Sequence, residues 1–381
     1  MGVYDAIGPT DEYPVHQAAA PIARPVHTDT NFYDRCYLNA HDRTGDLFLV
    51  TGMGFYPNLG TKDAFVLLRR GAEQTAVHLS DALDPGEDLL AQRVGGYRVE
   101  VLEPLRRVRI VLEETEGVAL DLTWTGAFPV LQEQRHLLLQ GSRTTLDAQR
   151  FAQVGNWAGT ILVDGEELSV DEDTWCGTRD RSWGIRPVGE APAPGRPAAP
   201  EFGGMWWVYV PLQFEDFAVV VIIQEEPDGH RSLNDCHRVF ADGRVEQLGW
   251  PRVDVRYRPG TRTPTGATLH CTLPDGEPFT VEVECRLDVP LHVGGGYGGD
   301  PDWTHGTWRG AGFTERRTYD LTHPDVAGRL MFGVTDHVAR ATAYGAGLAG
   351  AEGWGMFEHG PLGRHDPSGF ADWFDTSGGT P

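Results

Sequence analysis

The chain has 381 residues, enough for one large β domain or two of ordinary size, and 40% of them are hydrophobic, so a sizeable core can form. Its 55 acidic residues outnumber 32 basic ones, a net charge of −23 that argues against nucleic acid or an anionic membrane as the main partner. Cys36, Cys176, Cys236, Cys271 and Cys285 are scattered with no CxxC spacing, which fits reduced thiols better than a disulfide frame or a zinc site. The opening MGVYDAIGPTDEYP lacks the basic and apolar segments of a secretory signal, and no run of 18 apolar residues marks a membrane span; a cytoplasmic protein is expected.

The 48 glycines and 26 prolines punctuate short runs rich in Val, Ile, Thr and aromatics, the pattern of an all-β, antiparallel protein. In chain order, strands are expected over 46–51, 64–69 and 97–103. Residues 107–113 begin by alternating, and after a turn at Glu116-Gly117 so do Val118, Leu120, Leu122 and Trp124, a hairpin with one wet and one dry face. A helix is expected over 144–153, packing through Leu146 and Phe151. Strands follow at 159–163, 205–211 and 218–224; the apolar run over 217–223 blurs the alternation and points to burial on both faces. Further strands are expected at 237–240 and 253–257. A second hairpin joins 268–273 to 279–287 around Pro274-Asp275-Gly276, and a last strand covers 329–335. The glycines at 294–296 and 298–299 precede no helix and form neither a dinucleotide fingerprint nor a phosphate loop. The run EAPAPGRPAAP at 190–200 reads as an exposed loop or flap. Boundaries are placed as an N-terminal extension 1–26, units 27–175 and 176–365, and a tail 366–381.

The densest chemistry is TRDRSWGIR at 178–186, which packs Asp180, three arginines, Ser182 and Trp183 into nine residues. Guanidiniums repel unless a carboxylate or ligand lies between them, so the segment is either a buried salt-bridge node or one wall of a polar site. This segment, with FYDRCY at 32–37 and NAHD at 39–42, resembles a superfamily of two-domain, lipocalin-like (calycin) proteins. That superfamily holds the AttH-like bacterial proteins, carotenoid 1,2-hydratases and fungal cyclases that perform Diels–Alder reactions. The nearest resemblance is to an actinobacterial branch without an established activity. Covering roughly residues 27–365, it implies two lipocalin-like antiparallel barrel or sandwich units packed side by side. A pocket would then lie in a barrel mouth or between the units, where ligand sites concentrate.

The residue types offer several candidates. In an apolar pocket, desolvation would raise the Asp180 pKa and let it donate a proton, with Trp183 facing the resulting cation. Paired with Arg179, Arg181 or Arg186, Asp180 would instead pin the junction. Asp235 and His237 lie two apart and share a strand face, a possible acid/base pair. Trp207 and Tyr209 share a face that could line a cavity, opposite Trp206. Tyr33, Arg35, Tyr37, Asn39 and His41 also share one face, suited to a wet pocket or a barrel exterior. Asp302, His305 and Trp308, and the pair Asp336-His337, make no metal-binding spacing, and no GxSxG elbow occurs.

Together these point to a cofactor-independent and metal-independent acid/base enzyme, a hydratase or dehydratase, isomerase or cyclase. Its substrate would be a small lipophilic terpenoid, steroid or polyketide held at the domain interface. Asp180, Asp235 and His237 would be catalytic; Trp183, Trp207 and Tyr209 would form the walls, and Tyr33, Arg35 and Tyr37 the polar contacts. The alternative is a non-catalytic carrier with the same pocket. A homodimer is possible.

Overall fold

The computed structural model describes residues 8–16, 25, 27–84, 87–140, 143–187 and 203–378. Strands dominate, and every strand pair is antiparallel. The first half forms β1 (Phe32–His41), β2 (Leu47–Tyr56), β3 (Thr61–Arg70), β4 (Glu73–Ala82), β5 (Arg93–Val94), β6 (Tyr97–Glu103), β7 (Arg107–Thr115), β8 (Val118–Gly126), β9 (Leu131–Gln132), β10 (His136–Gln140), β11 (Arg143–Val163), β12 (Glu166–Val170) and β13 (Cys176–Ile185). The second half forms β14 (Gly204–Phe214), β15 (Phe217–Glu225), β16 (Arg231–Phe240), β17 (Val245–Gln247), β18 (Arg252–Tyr257), β19 (Pro264–Thr272), β20 (Pro278–Pro290), β21 (Phe313–Asp320), β22 (Thr335–Gly345) and β23 (Leu348–Gly363).

The strands make two curled sheets. The first runs β21-β4-β3-β2-β1-β13-β11-β8-β7-β6-β5, with β9, β10 and β12 laid against β11; the second runs β17-β16-β15-β14-β23-β22-β20-β19-β18. Both expected hairpins are present, as β7–β8 and β19–β20. The chain leaves the first sheet after Ile185 and joins the second at Gly204. It then returns once, because β21 from the second half pairs with β4 of the first sheet. The low-complexity run at 190–200 lies outside the described residues.

Each sheet wraps its own apolar core. Leu49, Val66, Ile110, Leu122, Trp124 and Trp157 fill the first. Val208, Val221, Leu269, Phe279, Val281 and Phe357 fill the second. A third cluster lies between the sheets, where Phe48, Phe65 and Val154 meet Tyr209, Val220, Ile222, Val338 and Met356. β15 is buried at every position because both of its faces are covered, one by the second core and one by this middle layer.

Two expectations need correction. Residues 144–153 are not a helix: they are the start of the 21-residue strand β11, paired with β10 on one side and β13 on the other. Leu146, Ala148 and Arg150 keep a two-residue period, and two flanking ladders outweigh the local helix propensity of Leu, Ala, Gln and Arg. Residues 329–335 are not a strand either; a 3-10 turn over Leu330–Phe332 precedes β22, which begins only at Thr335.

The N-terminal residues 8–16 are built into the first unit. A 3-10 turn over Pro9–Glu12 places Glu12, 3% exposed, against Arg179 of β13. The two form a two-pronged pair at 2.7 and 2.9 Å.

Candidate active site

β13 has a different job on each face because its side chains alternate. Arg179 and Arg181 point to a dry polar node. Arg179 binds Glu12 and Gln153 Oε1, and Arg181 binds Asp34, Gln92 Oε1 and the Glu12 carbonyl. Asp34 is also reached by His16 Nδ1 at 2.7 Å. Every guanidinium there has a carboxylate partner, so this half of the motif is a structural salt-bridge node. Trp183 belongs to the same face and stacks on the His16 ring, with centroids 3.5 Å apart. It does not reach the cavity, which corrects the expectation that it would face a reacting cation.

Asp180 and Ser182 point the other way, into a cavity of about 220 Å³. Gly184 marks the end of this face: its φ is +130°, and a Cβ there would come within 2.0 Å of the Asp147 carbonyl of β11. Only glycine accepts both the dihedral and the approach.

The cavity lies between the sheets. From the first sheet, β1 supplies Tyr33, Arg35 and Tyr37, β10 supplies His136 and Leu138, and β11 supplies Leu146, Ala148 and Arg150. From the second, β14 supplies Met205, Trp207 and Tyr209, β15 supplies Gln224 and β23 supplies Glu358. Glu133 and Gln134 from the β9–β10 connection, Arg186, Tyr297 and Val334 complete the wall. Each strand contributes every second residue, so the lining follows from the pleat.

The Asp180 carboxyl makes no hydrogen bond or ion pair with any other described residue. It is open to the cavity yet removed from bulk water. Its carboxyl is pushed up to about 7, chiefly by burial; Glu133 and Glu358 add to the rise, while Arg150 and Arg35 oppose it. Arg150 is committed elsewhere. Its Nε donates to Glu133 at 2.5 Å, and its guanidinium lies over the rings of Tyr209 (5.1 Å) and Trp207 (5.9 Å). Burial also raises the Glu133 carboxyl, against the pull of Arg150. The Tyr209 hydroxyl and Glu133 Oε1 are buried and make no well-formed hydrogen bond among the described residues, although Tyr209 lies near enough to lower the Glu133 carboxyl slightly. The Trp207 indole N–H donates to Glu358. Behind Glu358, the Tyr37 hydroxyl donates to Asp336, whose carboxyl is raised by burial and then by the charge of Glu358.

Six sequence candidates therefore converge: Asp180, Tyr33, Arg35, Tyr37, Trp207 and Tyr209 all line the cavity. Asp235 and His237 do stand together on β16, with Oδ1 and Nδ1 3.2 Å apart, but neither lines it. His237 Nδ1 makes no well-formed hydrogen bond, and burial lowers the pKa of the ring. Asp235 instead accepts the Gln134 backbone N–H at 2.6 Å and so fixes the turn that carries Glu133. Burial pushes its carboxyl up to about 6. Asn39 and His41, on the same face as Tyr37, serve the fold: Asn39 ties β1 to Thr178 of β13, and His41 packs near Cys176.

Glu133, His136, Arg150, Arg186, Tyr297 and Glu358 are cavity residues that the sequence reading did not select as site residues. A two-residue period through 146, 148 and 150 puts Arg150 on the cavity face of β11, opposite Ser182 of β13. Glu133 and Tyr297 sit in loops, where no periodicity signals a direction.

The fold is similar to that of a putative AttH from Nitrosomonas europaea, at 14% identity and a TM-score of 0.52, covering 87% of this chain and 93% of that one. CghA in complex with Sch210972 matches at 13% identity and a TM-score of 0.51, covering 92% and 95% of the two chains. Kievitone hydratase from Nectria haematococca aligns at 12% identity and a TM-score of 0.48, over 86% of this chain and 88% of that one. At such identities the likeness to the first two speaks for the fold alone, a pair of curled antiparallel sheets. No curated protein matches the sequence. Residues 7–371 match a family described as one of unknown function (DUF8625), and the chain belongs to that family.

Proposed function

We propose that the protein is an acid–base enzyme that hydrates, dehydrates, isomerises or cyclises a small lipophilic molecule bound between the two sheets. One observation carries the reading: the Asp180 carboxyl stands in the cavity wall without a partner among the described residues, and it is raised to about 7. Near neutral pH such a group holds its proton about half the time and can deliver it to an alkene, an enol or a leaving oxygen. The rings of Trp207 and Tyr209 supply apolar surface, and Glu358 and Glu133 are carboxyl groups within the same cavity. Two carboxyls whose environments differ are the usual means of obtaining an acid and a base from one residue type. Glu358, held by the Trp207 indole, is our choice for the group that accepts a proton. In this reading Asp235 holds the β9–β10 connection, and neither it nor His237 takes part in proton transfer. The neighbour CghA is named with a small molecule, Sch210972, bound, which is in keeping with a small-molecule site in this fold.

The test begins with mass spectrometry of the native protein for a co-purified lipophile. Incubated with that compound, the wild type should yield a product differing by one water or of equal mass, and Asp180→Asn should still bind but lose at least about a hundredfold in turnover. Tight binding by the wild type without conversion would replace the enzyme with a carrier.

A further inference from the structure

Among the described residues the cavity wall holds three arginines, and one of them is paired with a carboxylate. Arg150 has Glu133. Arg35 and Arg186 line the same wall, and neither makes a hydrogen bond or an ion pair through its guanidinium among the described residues. Arg35 is 5% exposed. Both guanidiniums lie against the Tyr297 ring, their central carbons 4.8 and 5.9 Å from its centroid, and Arg186 also covers Tyr33 at 5.6 Å. The aromatic faces orient the two cations but do not neutralise them. Like charges brought this close repel, and burial adds a desolvation cost. Asp180 acts on Arg35 only across the cavity, without ion-pair contact. This contrasts with the opposite face of β13, where both arginines are matched by carboxylates.

We infer that Arg35 and Arg186 form a receptor for an anionic headgroup, a carboxylate or a delocalised enolate, so that the occupant of the cavity is an amphipathic anion. This rests on the reading of the cavity as the substrate site and narrows its substrate class. The apolar body would lie toward Leu138, Leu146, Met205 and Trp207, and the headgroup would lie against Tyr297, where two guanidiniums offer donors in a fork suited to two oxygens. A bound anion would also cancel the part of the Arg35 field that opposes protonation of Asp180, so the substrate would help keep its own acid loaded. The net charge of −23 does not forbid this, because salt screens charges beyond about 10 Å while the two arginines act at contact.

The test compares two probes of one shape, 2-naphthoate and the neutral 2-naphthalenemethanol, by titration calorimetry on the full chain at about pH 6, where naphthoate is ionised and Asp180 is mostly protonated. The wild type should bind naphthoate roughly tenfold or more tightly than the alcohol. Arg35→Gln and Arg186→Gln should each lose that preference and bind the alcohol as the wild type does, and Arg186→Lys should keep part of it. Equal wild-type affinity for the two probes, or undiminished naphthoate binding in both Gln variants, overturns the anion receptor and leaves the cavity as a ligand site. Failure of the wild type to bind either probe overturns both. The wild-type comparison requires no variant to fold.

Discussion

Asp180 gives the residue scale its clearest consequence, because a raised carboxyl pKa is also a statement about stability. The native state holds the proton up to about pH 7, whereas the unfolded chain releases it near pH 4. The native state is therefore favoured fully below about pH 4, and that contribution is lost as pH rises toward 7. Asp180→Asn removes the ionisable group at similar shape. The variant should melt at the wild-type temperature near pH 4 and above it at pH 8, by on the order of 1–3 kcal/mol in stability, as scanning calorimetry at the two pH values would show. Equal melting at both would mean that Asp180 ionises as freely in the fold as in water. If Asp180 is the proton donor, turnover should also fall as pH rises past about 7. The sequence could name this residue but could not choose between acid and salt-bridge partner. That choice depends on which face of β13 it occupies relative to Arg179 and Arg181, and strand parity alone separates them.

At the scale of elements, β13 and the N-terminal turn behave as one unit. Glu12 joins Arg179 by two hydrogen bonds, accepts the Leu105 N–H through Oε2, and offers its carbonyl to Arg181. Removing a single partner of a buried pair leaves a desolvated charge behind, which costs about 3–5 kcal/mol. Glu12→Ala should lower stability in urea by about that amount, and Glu12→Ala combined with Arg179→Met should recover much of the loss. Two single-variant losses that simply add in the double variant would show that the pair is not coupled. Little of this was legible beforehand. The segment before residue 27 looked like an extension because it lies ahead of the motifs that carry the resemblance, and the worth of Glu12 lies in a contact with a residue far along the chain. The same limit produced the helix assigned to 144–153: local propensity was readable, but the two ladders that override it are not local. The hairpins β7–β8 and β19–β20 were legible because their alternation and turn residues are all close in sequence.

For the whole molecule, the two sheets are more than neighbours. The middle apolar layer joins them, and β21 carries the second half back to close the edge of the first sheet at β4. The all-β architecture was visible in the sequence, whereas the return of β21 was not, since nothing local distinguishes a strand that crosses sheets. A chain ending at Pro187 would keep every other strand of the first sheet but leave β4 as an unpaired edge and half of the middle layer in water. Such a fragment should form oligomers or precipitate when examined by light scattering, while the full chain remains dispersed. A monodisperse, cooperatively unfolding fragment would show that the first unit is independent.

The return of β21 also sets an order of events on the ribosome. β4 emerges early, and its partner Phe313–Asp320 is made only after nearly all of the second sheet's strands. At ordinary synthesis rates that interval is on the order of ten seconds or more. Throughout it, the first sheet waits with an open edge and an unfinished cavity. Nascent chains are therefore exposed to strand exchange with one another before the site exists, and a chaperone that shields β4 would raise the yield of active protein without touching the finished fold.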